Sequence, residues 1–76
     1  MLSLAQSLFL DSELRVEQEL PHVGSALENP FVYDTVAREL KQMAQRGLVE
    51  IVQEHTLAHN AQPLIDSLRY RRVRLG

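Results

Sequence analysis

The 76-residue sequence predicts a small α+β domain of three helices followed by a two-stranded β-hairpin. Three observations predict it. Val36, Leu40 and Met43 fall at i, i+4 and i+7 with Ala37 and Ala44 beside them, one apolar stripe of helical period. Arg46 then stands in the last turn and Gly47 at the left-handed position that ends many helices. Residues 48–52 follow at once with four apolar side chains, three of them β-branched.

Each element can be justified in order. Residues 2–10 read as a first helix, with Leu4/Leu8 and Ala5/Phe9 as i, i+4 pairs. Asp11 and Ser12 break it, and residues 13–16 alternate polar and apolar, suiting a very short strand or an extended entry to the next helix, with Leu14 and Val16 expected inward. A second helix is expected over about 17–27, with Val23 and Leu27 buried; Pro21 sits poorly inside it and can instead mark its first turn. Asn29-Pro30 is a start signal for the long third helix: Asn caps through its side-chain oxygen and Pro fits the first helical position. Asp34-Thr35 is an alternative start. Either way the helix ends at Arg46. The tail admits two readings. Residues 48–57 and 64–73 form a hairpin around a loop at 58–63, or a helix runs from Pro63 to Leu75. Alternation through Leu68, Arg69, Tyr70 and Arg71 favours the hairpin, with a slip at Arg72 that needs a bulge or the end of pairing.

Seventy-six residues make one domain with one modest core, and chain entropy cancels most of what that core gains. Such a chain benefits from self-association, and a homodimer through the apolar N-terminal helix, with Leu4 and Leu8 at the contact, is expected. The absence of cysteine excludes disulfides and thiolate metal sites. The apolar N-terminal stretch is too short to span a bilayer and lacks the basic start of a signal peptide, so no membrane is expected and the cytoplasm is the default location.

The net charge of −2 conceals an asymmetry. Residues 1–37 carry one arginine against six carboxylates, whereas residues 38–76 carry seven basic side chains against four. Four arginines fall within residues 69–74, enough for a positive face on an otherwise acidic protein.

Read in order, the elements are helix, short extended segment, helix, turn, longer helix, glycine, strand, loop, strand. Residues 13–16 (ELRV) and above all 36–52 carry a likeness, with Leu40, Met43, Gly47, Leu48 and Val49 matching an "L-x-x-L-x-x-x-G-L-V" ending. On these residues the chain resembles the winged helix-turn-helix family of transcriptional regulators. The resemblance implies a single winged-helix domain over residues 1–76 that binds double-stranded DNA. It places the helix ending at Arg46 in the major groove and the hairpin beside the phosphate backbone. The residue chemistry suits this. Thr35, Arg38, Lys41, Gln42 and Gln45 lie away from the apolar stripe, and Arg and Gln match the paired donors and acceptors of guanine and adenine edges. Arg69, Arg71, Arg72 and Arg74 carry the charge that meets phosphates. Asp34 and Glu39 stand on or beside the same helix face and repel phosphates, which favours the alternative of a protein–protein adaptor that touches no nucleic acid.

Other chemistry has little support in the sequence. His55 and His59 are four apart with Glu54 adjacent, a metal-gripping spacing on a helix but not at the end of a strand and in a loop. No nucleophile elbow, glycine-rich phosphate loop or zinc-protease signature occurs, so neither an enzyme nor a cofactor is expected.

Overall fold

A computed structural model of the chain describes residues 3–21 and 26–74. The chain is α+β, but it is built from two helices and a three-stranded antiparallel sheet rather than three helices and a two-stranded hairpin. This corrects the winged-helix plan expected above. The elements are α1 (Leu4–Asp11), β1 (Glu17–Glu19), a 3-10 turn (Ala26–Glu28), α2 (Pro30–Gln45), β2 (Val49–His59) and β3 (Gln62–Arg72), with strands in the order β1-β3-β2.

The departure has a physical cause. Residues 17–19 (EQE) offer no apolar period of their own, and they are extended because β3 pairs with them. In that ladder Glu17 lies opposite Arg71 and Glu19 opposite Arg69, so carboxylates face guanidinium groups across the strands. Only the 3-10 turn remains of the expected second helix among the described residues; Val23, expected to be buried, lies outside them. Leu14 and Val16 also differ from expectation, since each is 42% exposed. Residues 13–16 form a tight turn instead of a strand: the Arg15 N–H donates to the Arg72 carbonyl (2.7 Å) and the Val16 N–H to the Glu13 carbonyl (3.3 Å).

Both helices start where their side chains can cap them. Ser3 Oγ accepts from the Gln6 N–H at 3.1 Å, and Gln6 Oε1 accepts from the Ser3 N–H at 3.0 Å, a reciprocal capping box. Asn29 Oδ1 accepts from the N–H groups of Phe31 and Val32 with Pro30 in the first position, which selects Asn29-Pro30 over Asp34-Thr35. Gly47 ends α2 with φ of 78°, conformational freedom that only glycine has without cost.

The tail is a hairpin of two 11-residue strands. Its connection is shorter than the expected loop at 58–63: His59 already pairs with Gln62, and Asn60 and Ala61 both take positive φ (50° and 68°). That is the primed two-residue turn whose twist suits a hairpin. Pairing ends at Arg72, while the register shifts fall earlier, between Ile51 and Gln53 and between His55 and Thr56. The core lies between the sheet and the two helices. α2 contributes Tyr33, Val36, Ala37, Leu40 and Met43; α1 adds Ala5 and Phe9; β3 supplies Ile65, Leu68 and Tyr70. No helix among the described residues is long and apolar enough to cross a membrane.

Candidate nucleic-acid interface

The outward face of α2 is built by what its inward face requires. Tyr33, Val36, Ala37, Leu40 and Met43 turn toward the sheet, so Thr35, Arg38, Gln42 and Gln45 turn out, with Arg46 one turn beyond Gln42. Arg38, Lys41, Gln42 and Gln45 line a shallow groove of about 250 Å³. The five helix residues anticipated from sequence therefore lie on one side of one helix.

Asp34 does not share that face. It is 8% exposed, and its Oδ1 accepts the Ile65 N–H of β3 at 2.8 Å. Arg38 Nε reaches both of its oxygens at 3.0 and 2.9 Å, while Arg38 also donates to the Pro63 carbonyl at 3.2 Å. Burial pushes the Asp34 carboxyl up, but the Arg38 and Ile65 hydrogen bonds and the charges of Arg38 and Lys41 outweigh it. The net direction is down, and the group is ionised at neutral pH. Asp34 thus acts as a clamp between α2 and β3 and leaves no carboxylate projecting from its position.

Lys41 sits at 3.0 Å from Glu54 of β2. Thr35 Oγ1 donates to the Phe31 carbonyl at 2.9 Å, a bond within its own helix.

The hairpin arginines are placed differently from the expected phosphate-facing row. Arg69 pairs with Glu17 at 3.2 Å and Arg71 pairs with Glu50, so both are neutralised by neighbouring strands. Arg72 is 7% exposed and turned inward. Its Cζ lies 4.2 Å from the centre of the Phe9 ring, and its guanidinium donates to the carbonyls of Ser12 (3.1 Å), Leu10 (3.4 Å) and Arg74 (2.7 Å). It satisfies carbonyls at the end of α1, a structural task. Arg74 is exposed and lies beside Gly47, about 3.8 Å from where a Cβ would stand. Among the described residues Arg15, Arg46 and Arg74 have no carboxylate partner.

Two residues escaped the sequence reading. In the sequence Arg46 stands out only as a cation at a helix end, although its i+4 spacing from Gln42 puts it on the outward face. Tyr33 carried no signal beyond its size: its hydroxyl donates to the Leu20 carbonyl at 2.7 Å and accepts from the Leu68 N–H at 3.2 Å. Burial pushes its phenol up from the ordinary value.

His55 and His59 both belong to β2 rather than to a strand end and a loop. His55 Nδ1 lies 2.6 Å from Asp66 Oδ1, and His59 meets Phe31 edge-on at 5.3 Å. No protein-family model, curated protein or solved structure matches the chain. Any functional reading therefore rests on this chain's own residues.

Proposed function

We propose that this domain binds double-stranded DNA through the outward face of α2 and acts as a transcriptional regulator in the cytoplasm. The observation that carries the reading is the composition of that face. It presents Thr35, Arg38, Gln42, Gln45 and Arg46; of the two acids expected on or beside it, Asp34 is turned into the sheet, while Glu39 stays half-buried between Thr35 and Gln42 and opposes the phosphates there. Gln42 and Gln45 offer the donor–acceptor pair that adenine edges need, and Arg46, unlike the Asp34-bound Arg38, is free to meet guanine or phosphate. Arg74 lies at the same end of the helix as Arg46 and extends the positive surface there. The reading needs no catalytic group and no cofactor.

The charge arrangement limits the affinity. Arg38 with Asp34, Arg69 with Glu17, Arg71 with Glu50 and Lys41 with Glu54 are neutral as pairs and add little long-range attraction. Those same pairs favour the second reading, an adaptor that binds another protein and no nucleic acid. Fluorescence anisotropy with a labelled random duplex at low and moderate salt separates the two. The regulator gives binding whose log–log salt slope is shallow, about −2, because at that face only Arg46 and Arg74 lack a carboxylate partner among the described residues. Absence of binding at low salt leaves the adaptor.

A further inference from the structure

We propose that copies of this chain associate head to tail. The turn carrying Leu14, Arg15 and Val16 in one copy seats in the cleft between the 3-10 turn, α2 and the hairpin of the next.

The turn is an unusual piece of surface. Leu14 and Val16 are each 42% exposed, and Arg15 between them has no carboxylate partner among the described residues. Arg15 takes φ of 66°, in the left-handed region where a side chain with a Cβ is disfavoured. Its backbone bond to Arg72 and the Val16 bond to Glu13 hold it there. The result is a rigid knuckle, apolar on both flanks with a cation at its crest. Rigid apolar groups offered to solvent lose little entropy on docking.

The cleft is its complement. It has a volume of about 140 Å³, room for one branched aliphatic side chain, and Leu27, Leu57 and Leu64 form its walls. Leu57 is 59% exposed, the most exposed large apolar side chain among the described residues. Glu28 and Asp66 also line it, with His59 beside them. Asp66 Oδ1 lies at hydrogen-bond distance from His55 Nδ1, whereas Glu28 has no cationic partner among the described residues. An apolar cleft whose lining includes the carboxylate of Glu28 therefore complements an apolar knuckle that carries Arg15, and like charge disfavours each surface pairing with itself. Because the two surfaces differ, the contact is heterologous and extends into short chains of copies rather than closing as a symmetric pair. The contact is small, so the association is weak.

Neither surface uses the outward polar face of α2, so the test is run without DNA and stands apart from the reading above. Sedimentation velocity on the full chain over a concentration series at low salt is expected to give concentration-dependent species beyond the monomer. Arg15→Glu and Glu28→Arg are each expected to weaken association roughly tenfold or more, since each places like charges across the contact. An equimolar mixture of the two variants is expected to associate as the parent does, because both contacts in the mixture pair opposite charges again. Leu57→Ser, on an exposed strand position away from the 3-10 turn, weakens association while its circular dichroism melt stays parent-like. Three results overturn the proposal: a parent that is monomeric throughout, single variants that associate like the parent, or a mixture that stays apart. Loss of association in Leu4→Ser with Arg15→Glu unaffected overturns it as well, and moves the contact to α1.

Discussion

At the scale of single residues, Asp34 joins stability to pH. Its folded carboxyl lies below its unfolded value, so the stability it contributes is present above the unfolded value of about 3.9 and is lost as pH falls through the folded one. In chemical denaturation between pH 7 and pH 3, the parent is expected to lose more stability on acidification than Asp34→Asn, which has no proton to take up. Asp34→Ala also strands the buried Ile65 N–H, and is expected to cost about 1–3 kcal/mol at pH 7. A flat pH response in the parent, equal to that of the Asn variant, defeats this account. Tyr33 gives a second residue-scale case. Tyr33→Phe leaves the Leu20 carbonyl and the Leu68 N–H without their hydroxyl partner, and urea titration should register a loss of about 1–3 kcal/mol. Neither bond was legible beforehand, because the partners of Tyr33 lie 13 and 35 residues away in the chain.

At the scale of elements, the turns that end α2 and join the hairpin are set by backbone conformation. Gly47 has φ of 78° and its Cβ position meets only the Arg74 side chain at ordinary contact distance, so the strain of substitution is in the backbone. Gly47→Ala is expected to cost about 1–2 kcal/mol, and Gly47→Val more because it is β-branched. The opposite change is available at the hairpin. Ala61 holds φ of 68°, where glycine is at ease, so Ala61→Gly should stabilise by about 0.5–1 kcal/mol, read as a higher urea midpoint with an unchanged slope. A loss of stability there shows that unfolded-chain entropy outweighs the relieved strain. The position of Gly47 was legible because a helical stripe ends and an apolar strand begins on either side of it. The two-residue turn was not, since Asn60-Ala61 lacks the glycine that marks such turns.

At the scale of the whole molecule, what matters is which charges the fold leaves free. A row of four arginines invites a reading as a phosphate-binding strand, yet the fold pairs two of them with carboxylates and buries a third. Under the DNA reading, Gln42→Ala and Gln45→Ala should each cost about 1–3 kcal/mol on a specific site and much less on random duplex. Arg71→Gln should change binding to any duplex little, because Glu50 already offsets its charge. Anisotropy titrations of these variants check both statements. An Arg71→Gln loss as large as that of Arg46→Gln contradicts the assignment of free and paired cations.

The sequence by itself determined the parts whose cause is local. The apolar stripe of α2, its Asn29-Pro30 start, its stop at Gly47 and the alternation of β3 are each set within a few residues by steric, capping and periodic rules. It also determined which side chains α2 turns outward, because the position of the buried stripe fixes the opposite face. Tertiary structure alone decided the rest. Residues 17–19 became a strand because β3 lies beside them, and Leu14 and Val16 stayed outside because residues 13–16 turn. Asp34 faces the sheet, and Arg69, Arg71 and Arg72 are occupied, because their partners come from other elements. A charged side chain's role depends on the nearest opposite charge or carbonyl in space, and no spacing along the chain encodes that distance.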